Sequence, residues 1–436
     1  MTADEILSRD RRFLWHPYTA LDDPRVPLVI TSALGSRLTT HTGKSLLDGN
    51  SSWYVAGLGH RHPRLVNALV NQAQSLPHVA LAGITHEPAA ALAEELCALS
   101  PTGPGRAFFS DDGSTAIEAA LKLAVQFFRN SGQPERNRFI ALDGAFHGET
   151  LGAASLGGIE LFRSAFGKLC CDIVHVPSPA PDDDELDVEA AQAIAFRHVA
   201  RLIERAPQEI AGVIVEPLIQ AVSGMRVYAP GYLAELRRLT AAHGILLIVD
   251  EVFTGLGRTG SFWACDQAPL ASAPDLVCVG KTFSGGLLPF AATLVAEHVC
   301  EAFRGGKERA FLHGHSYCGN PLGAAVAREV LAVMRDEDVL GQVGKKAHLL
   351  RAAVQEVERR GGRRARSLGM CAAVDLDGGG YLGGAGWRAY EAALRFGAYL
   401  RPLGDTFYMT PPLTIPESDL KELCSIFVEA ASEALR

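Results

Sequence analysis

The sequence predicts an α/β protein with a mostly parallel central sheet in a large domain and a smaller α+β domain built from both termini. The first observation is a set of continuous apolar runs of strand length, EIAGVIVEP, ILLIVDE and PDLVCVG. Runs without polar alternation are typical of strands covered on both faces, as in a parallel α/β sheet. The second is that strands alternate with helix-like segments only in the middle of the chain. We therefore expect residues 1–60 and 331–436 to form the small domain and residues 61–330 the large one.

Local patterns predict the elements in chain order. Near the N-terminus, SRLTTHTGKSLLDG predicts a hairpin, because its Thr-Gly pair supplies a turn between two strand-like halves. RAFFS and RFIALDG each predict a strand that precedes a helix, and the first of these helices begins near Ser114. HVPSPAPDDDELDVE, residues 175–189, predicts an acidic surface loop inside the large domain. Beyond residue 330, periodic helices surround two short strand regions, MCAAVDL and AYLRPLGDTFYMTPP.

Composition and charge narrow the possible functions. The chain has 436 residues, of which 48% are hydrophobic and 21% charged, an ordinary globular composition. Its formal net charge of -8 argues against nucleic acid as a partner. The first residues include acids and no apolar core, unlike a secretory signal, and no run approaches the ~18 apolar residues that span a bilayer. We expect a cytoplasmic protein without a membrane partner.

The cysteines predict neither a metal centre nor a disulfide framework. Nine cysteines are present without a C-x-x-C pair. His313, His315 and Cys318 form one local group of possible ligands, but structural zinc sites usually have a second ligand pair. We therefore expect no metal site.

The segment GLGRTG, residues 255–260, matches the G-x-G-x-x-G pattern of dinucleotide-binding turns. That fingerprint places its first glycine at the turn from a strand to a helix, whose N-terminus binds pyrophosphate. Here DEVFT separates the strand from the glycines, and the following SFWACDQAPLASAP is a poor helix opening. The pattern therefore favours a structural loop over a dinucleotide site.

An acid at the end of one predicted strand and a lysine after the next are chemically more informative. Asp250 ends the run ILLIVD, and Lys281 follows PDLVCVG. Carboxyl ends of parallel strands open into one crevice, so both side chains are expected there. A lysine at the end of a buried strand is costly unless it is paired or used chemically, although one that emerges into solvent needs no such role. Pyridoxal 5'-phosphate would use both residues, the lysine for a Schiff base and the acid to keep the ring nitrogen protonated.

A third segment could hold the phosphate of this cofactor. In SDDGSTAIEAALKLA, Gly113 and Ser114 stand at the start of a helical pattern. Backbone N–H groups at a helix N-terminus bind phosphate, although Ser114 could equally be an ordinary N-cap. Each segment is ambiguous alone, but the three together, in this order and spacing, predict a pyridoxal-phosphate site.

These segments resemble the fold-type I pyridoxal-phosphate transferases of the class III, or ω-aminotransferase, family. DGSTAIEAALKLA, FHGETLGA, VIVEP, LLIVDEVFTGLGRTG and DLVCVGK carry the resemblance, which covers nearly the whole chain. It implies an aminotransferase in which Lys281 forms the Schiff base and moves the substrate proton, while Asp250 pairs with the pyridine nitrogen. Gly113 and Ser114 would then bind the phosphate, and Phe146 would stack on the ring.

The resemblance also implies a homodimer with shared active sites. Ser316, in HGHSYCGNP, would reach the phosphate of the neighbouring subunit, with His315 beside it at the cofactor. Arg401 would bind the carboxylate of the acceptor substrate, a role that suits its planar guanidinium. For the aromatic residues, core packing is the alternative role. The residues expected around the substrate are Tyr18, Trp53, Phe146 and Gly314.

Narrower matches indicate one branch of the family. WHPYT, DGNSSWY, GITHEP, IQAVSGMRVY and LRPLGDTFYMTPP resemble the branch that transfers the amino group of S-adenosylmethionine to 8-amino-7-oxononanoate, giving 7,8-diaminononanoate in biotin biosynthesis. The chain departs from the usual pattern at several positions. Phe146 stands where the family usually has Tyr, Glu149 where it has Asp, and Tyr54 where it has a second Trp; His315 and Ser316 replace Pro-Thr. These departures leave open whether S-adenosylmethionine or lysine is the donor.

Other functions on the same fold also remain open. The first is an ω-aminotransferase that uses lysine, a polyamine or a β-amino acid as donor. Val222, in EPLIQAVSGM, stands where ornithine- and GABA-type members have a second glutamate, which disfavours glutamate as a substrate. The second is a pyridoxal-phosphate-dependent decarboxylase or aminomutase, because the cofactor performs the common chemistry. WHPYT and Arg401 favour the transaminase, and the intact Lys281 disfavours a regulator without turnover.

Overall fold

The structure is a computed structural model of the chain and describes residues 1–180, 187–377 and 380–436. The acidic stretch 181–186 of the predicted surface loop lies outside the described residues. In chain order the strands are β1 (Ile30–Leu34), β2 (Arg37–Thr40), β3 (Ser45–Asp48), β4 (Gly105–Ser110), β5 (Arg138–Leu142), β6 (Ile173–Val176), β7 (Ile210–Val215), β8 (Ile219–Gln220), β9 (Arg226–Val227), β10 (Leu246–Asp250), β11 (Leu276–Val279), β12 (Ala291–Ala296), β13 (Arg363–Leu368), β14 (Cys371–Asp375), β15 (Ala398–Tyr399) and β16 (Thr406–Met409). The helices are α1 (Ala3–Phe13), α2 (Ser51–Tyr54), α3 (Pro63–Ser75), α4 (Glu87–Leu99), α5 (Gly113–Asn130), α6 (Leu151–Leu156), α7 (Glu160–Arg163), α8 (Val188–Arg205), α9 (Pro230–Ala242), α10 (Glu297–Glu301), α11 (Pro321–Asp336), α12 (Val339–Arg359), α13 (Ala385–Phe396) and α14 (Glu417–Ala434).

The central sheet has seven strands in the order β4-β12-β11-β10-β7-β5-β6. The strands from β11 to β6 pair in parallel, whereas β12 runs antiparallel to both β11 and β4. This arrangement confirms the predicted mostly parallel sheet. Every residue of β7, β10 and β11 is buried, which explains why their sequences are apolar without alternation.

Helices cover both faces of this sheet. Leu247 and Val249 of β10 belong to one apolar core with residues of α8 and α9, whereas Ile248 belongs to a second core with residues of α5. Successive strand residues point to opposite faces, so one continuous apolar run serves both cores. The carboxyl ends of β7, β10 and β11 border a pocket, and side chains there can form a site.

The small domain joins the two ends of the chain. Two of its sheets have the orders β1-β2-β3-β15 and β13-β14-β16. The hairpin β2–β3 is the one predicted from SRLTTHTGKSLLDG, with Gly43 in the left-handed region of its turn. β3 pairs in parallel with β15, so that Asp48 lies beside Tyr399. The expected boundary after residue 330 falls within α11, and the exact division into domains stays a prediction.

The glycine-rich segment at residues 255–260 forms turns and does not begin a helix. Arg258 within it is fully buried and donates from Nη1 to the carbonyl oxygen of Pro411 at 2.6 Å. The segment therefore connects the large and small domains, as expected of a structural loop. In the part of the chain that the structure describes, no helix is both long and apolar enough to cross a membrane.

Candidate active site

A pocket of about 430 Å³ lies at the carboxyl ends of β7, β10 and β11. Both domains contribute side chains to it. The residues predicted from the sequence that line it are Tyr18, Trp53, Gly113, Ser114, Phe146, Asp250, Lys281 and Arg401. The structure thus brings together residues as far apart in the sequence as Tyr18 and Arg401.

Lys281 follows β11 after one glycine and has a left-handed backbone with φ 47°. Its Nζ lies 5.4 Å from the centre of the Tyr54 ring and 5.6 Å from that of Phe253. Burial lowers the pKa of Lys281, while the negative charges of Asp250 and Glu216 oppose this shift. A lowered pKa increases the uncharged fraction of the amine, which is the form that attacks a carbonyl carbon.

Asp250 ends β10 and is held by two neighbours. Its Oδ1 accepts a hydrogen bond from the Val252 N–H at 3.0 Å, and its Oδ2 lies 2.7 Å from Nδ1 of His147. His147 is buried, and within the described residues its Nε2 has no hydrogen-bond partner. His147 follows Phe146 directly in the motif FHGET but was not predicted as a site residue. His147 therefore fixes the orientation of the Asp250 carboxylate.

Glu216, directly after β7, is a second buried acid that the sequence analysis did not assign to the site. Its carboxylate accepts hydrogen bonds from the backbone N–H groups of Phe146 and Ala221, each at 3.0 Å. Burial raises the pKa of Glu216 to about 7; His147 lowers it and Asp250 raises it. The sequence feature that could have indicated Glu216 is its position at the end of an apolar strand, in VIVEP. Glu216 holds the backbone of Phe146, whose ring lies 6.1 Å from that of Phe162.

The N-terminus of α5 reaches the same pocket. Asp112 is its N-cap and accepts from the Thr115 N–H at 3.0 Å, so the alternative that Ser114 is the N-cap is wrong. The Ser114 Oγ instead accepts from the Glu149 N–H at 3.3 Å. A Cβ on Gly113 would lie 2.6 Å from Cγ1 of Val252, so glycine allows the helix to begin close to the Asp250 strand end.

These residues fit pyridoxal 5'-phosphate. Backbone N–H groups at the start of α5 suit a phosphate dianion, and the hydroxyl of Ser114 adds a donor. The carboxylate of Asp250 suits a protonated pyridine nitrogen, and the amine of Lys281 suits an aldehyde carbon. We call this set the cofactor-side residues: Gly113, Ser114, His147, Glu216, Asp250 and Lys281.

The remaining predicted residues form an aromatic part of the pocket. The Tyr18 hydroxyl donates to Oε1 of Glu149 at 3.0 Å, and the Tyr18 and Trp53 ring centres are 5.8 Å apart. Burial and the nearby Glu149 charge raise the pKa of Tyr18, and burial also raises the pKa of Glu149. Tyr18 and Trp53 are 50% and 39% exposed, so their alternative role in core packing is wrong. The Arg401 guanidinium carbon lies 5.2 Å from the Trp53 ring centre.

Several aromatic residues of the pocket were missed from the sequence, among them Phe162 and Tyr381. Phe162, in α7, has its ring centre 5.6 Å from that of Tyr18 and 5.0 Å from that of Tyr381. Neither residue lies in a segment with a recognisable pattern, so no sequence signal indicated them. We call this set the substrate-side residues: Tyr18, Trp53, Glu149, Phe162, Tyr381 and Arg401.

The predicted residues Gly314, His315 and Ser316 do not line this pocket. His315 and Ser316 lie in an exposed loop, where Nδ1 of His315 is 3.4 Å from Oδ2 of Asp111. Their assignments to a cofactor or substrate therefore stay predictions. Within residues 1–180, 187–377 and 380–436, no group of His, Cys, Asp and Glu could hold a metal ion.

The sequence is similar to those of known proteins over nearly its full length. Residues 18–431 match the family model of aminotransferase class-III. The chain is 42% identical over 425 residues to adenosylmethionine-8-amino-7-oxononanoate aminotransferase of Synechococcus elongatus, an alignment that covers 96% of this chain and 98% of that protein. It is 36% identical over 428 residues to the Geobacter sulfurreducens protein of the same name, with 94% of each covered.

Solved structures are similar over the same length. A crystal structure of adenosylmethionine-8-amino-7-oxononanoate aminotransferase from Methanocaldococcus jannaschii has a TM-score of 0.92 and 31% identity, covering 99% of both chains. An amine transaminase from an uncultivated Pseudomonas species, in a PLP-bound form, has a TM-score of 0.91 and 30% identity, covering 97% of this chain and 98% of that one.

Proposed function

Because the chain belongs to the aminotransferase class-III family, we propose that it transfers the amino group of S-adenosylmethionine to 8-amino-7-oxononanoate, giving 7,8-diaminononanoate in biotin biosynthesis. The enzyme is a pyridoxal-phosphate-dependent transaminase. The main structural support is that Arg401, Trp53 and Tyr18 line the pocket that also contains Lys281. A guanidinium beside aromatic rings suits a substrate with a carboxylate and a long apolar chain.

The cofactor-side residues carry the proton chemistry. When bound, pyridoxal phosphate supplies an electron sink next to the substrate's reacting carbon. Lys281 would be the base that removes a proton from the reacting carbon of the donor, which its lowered pKa favours, and in the second half-reaction it would deliver a proton to the reacting carbon of the acceptor. Asp250 would keep a proton on the pyridine nitrogen of the cofactor. His147, whose Nδ1 lies 2.7 Å from Oδ2 of Asp250, orients the Asp250 carboxylate.

The substrate-side residues orient the reactants. Arg401 pairs with the acceptor carboxylate through its planar fork. The rings of Tyr18, Trp53 and Phe162 exclude water around the apolar chain of the acceptor. Glu149 adds a negative charge in the same pocket, which suits a cationic donor. Both a sulfonium and a second ammonium meet this requirement, so lysine is the second candidate donor.

A cytoplasmic homodimer with shared active sites is part of the proposal. The loop that contains His315 and Ser316 is exposed in one chain. In the dimer, Ser316 would donate to the phosphate held by the neighbouring subunit, with His315 and Gly314 beside it. Replacing Ser316 with Ala is expected to weaken cofactor binding without removing dimer formation.

The visible spectrum of the purified protein tests the donor directly. S-adenosylmethionine is added without acceptor, and lysine is added to a separate sample. Conversion of the lysine-linked cofactor to its amine form by S-adenosylmethionine alone supports the proposed function. Conversion by lysine alone assigns lysine as donor and links the change to Phe146 and Glu149. Conversion by neither contradicts both donors, leaving another ω-aminotransferase or a decarboxylase or aminomutase.

A further inference from the structure

The segment α2 is a left-handed helical turn. Ser51, Ser52, Trp53 and Tyr54 have φ values of 47°, 46°, 56° and 76°, all in the left-handed region. Glycine adopts this conformation without steric cost, whereas these side chains do not. Such a backbone persists only where the surrounding structure over-determines it. This turn presents Trp53 and Tyr54 to the pocket.

Asp48, the last residue of β3, binds the turn from one side. Its Oδ2 accepts hydrogen bonds from the Ser52 N–H at 2.9 Å and the Ser52 hydroxyl at 3.2 Å, and lies 2.8 Å from Nε2 of His60. Its Oδ1 accepts from the Asn50 N–H at 3.1 Å. Asp48 is only 1% exposed, and its bond to the Asn50 N–H is buried, whereas its bonds to Ser52 and His60 are partly buried.

The same turn is connected to other parts of the site. Oδ1 of Asn50 accepts from the backbone N–H of Arg401 at 2.6 Å. The carbonyl oxygen of Tyr54 accepts from the hydroxyl of Thr282, the residue after Lys281, at 3.2 Å. A change in the turn would therefore displace Trp53 and the Arg401 backbone together.

We propose that Asp48 is a positioning residue that holds the left-handed turn and thereby sets the positions of Trp53 and Arg401 for binding the acceptor carboxylate. The assignment of the acceptor rests on the proposed function. Asp48 does not contact the reacting atoms. Its role is to keep a strained backbone in the one conformation that places a stacking ring beside the guanidinium.

The first test measures backbone hydrogen exchange in the holoenzyme, which needs no substrate. Asp48→Asn replaces one acceptor oxygen by an NH₂ group that cannot accept from the Ser52 N–H. We expect faster exchange in residues 49–56 and 400–402, with the dimer and the cofactor retained. Asp275→Asn is the matched control, because Asp275 is 3% exposed and pairs with Arg237 away from the turn. Unchanged exchange in the turn of Asp48→Asn overturns the proposal.

The second test is a rescue that a general loss of stability would not show. Asp48→Asn is expected to raise KM for 8-amino-7-oxononanoate by about 10- to 100-fold, with a smaller change in the rate of the donor half-reaction. Adding Ser52→Gly removes the steric cost at one of the four left-handed positions and is expected to recover part of this loss. Adding Ser52→Ala deletes the same hydroxyl but keeps the steric cost, and no recovery is expected.

The two tests separate this inference from the proposed function. Equal effects of Ser52→Gly and Ser52→Ala in the Asp48→Asn background overturn the role of the strained turn. A wild-type enzyme that does not use 8-amino-7-oxononanoate contradicts the proposed function. In that case the exchange measurement still decides whether Asp48 holds the turn.

Discussion

The two groups of residues that line the pocket are built in different ways. Most cofactor-side residues lie at strand ends or at the start of a helix, and His147, in a loop, contacts Asp250 at 2.7 Å. The substrate-side residues come from loops and short turns of distant segments. Their contacts are mostly between rings, as for Tyr18 and Trp53 at 5.8 Å. We therefore expect residues positioned by the sheet to carry the chemistry and residues on loops to determine which substrates bind.

The same difference decides what the sequence could predict. Asp250 and Lys281 follow apolar strands whose carboxyl ends must meet, so their proximity could be inferred from strand patterns alone. His147 and Glu216 were missed as site residues because their roles depend on hydrogen bonds between segments that are distant in the sequence: His147 bonds to Asp250, and Glu216 to the Phe146 N–H. Phe162 could not be inferred, since short turns place it, and no local pattern specifies such a position.

The largest effect is expected at Lys281. Lys281→Ala would remove the amine proposed to bind the cofactor covalently and to move the substrate proton. Turnover should fall by about 10²- to 10⁴-fold, as is typical for the loss of a catalytic base. The visible absorption of the lysine-linked cofactor should also be lost while the dimer persists. Lys281→Arg is the control that keeps a positive charge but supplies no nucleophilic amine. An active Lys281→Ala enzyme would contradict the assignment of the whole pocket.

A smaller loss is expected when the charge of Asp250 is removed. Asp250→Asn keeps the size of the side chain but no longer stabilises a protonated ring nitrogen. The rate of the donor half-reaction should fall by about 10²- to 10³-fold, as for the loss of one preorganised electrostatic group. Rapid-mixing absorbance with S-adenosylmethionine measures this rate. His147→Asn should lose less, because Asp250 keeps its charge and only its orientation suffers; an equal or larger loss would mean that His147 acts directly.

Arg401 tests the substrate-side residues, where the effect should appear in binding. Arg401→Ala would remove the charge-assisted hydrogen bonds proposed to the acceptor carboxylate and should raise KM for 8-amino-7-oxononanoate by about 10- to 100-fold. The donor half-reaction should change less. Arg401→Lys keeps the charge but not the planar fork and should give an intermediate KM. Equal damage to both half-reactions would show that Arg401 does not discriminate between donor and acceptor.

The smallest effect is expected at Glu149, and it separates charge from shape among the substrate-side residues. Glu149→Gln keeps an oxygen that accepts from the Tyr18 hydroxyl, which lies 3.0 Å from the carboxylate, but removes the negative charge. Because this part of the pocket is partly open to water, kcat/KM for a cationic donor should fall by only about two- to fivefold. The acceptor carries both an amino group and a carboxylate, so its KM is measured alongside and shows whether the Glu149 charge acts on the donor alone.

Tyr18→Phe is the matched variant for this prediction. It removes the Tyr18–Glu149 hydrogen bond, which Glu149→Gln keeps, and it retains both the ring and the Glu149 charge. Single-turnover rates with S-adenosylmethionine and with lysine distinguish the two contributions. If charge sets donor recognition, Glu149→Gln reduces both cationic donors and Tyr18→Phe reduces them less. If the hydrogen bond sets the shape of the pocket, Tyr18→Phe has the larger effect and the two donors respond unequally, because they differ in bulk beyond the charge. The second result would show that the loop that positions Tyr18, and not the Glu149 carboxylate, determines donor specificity.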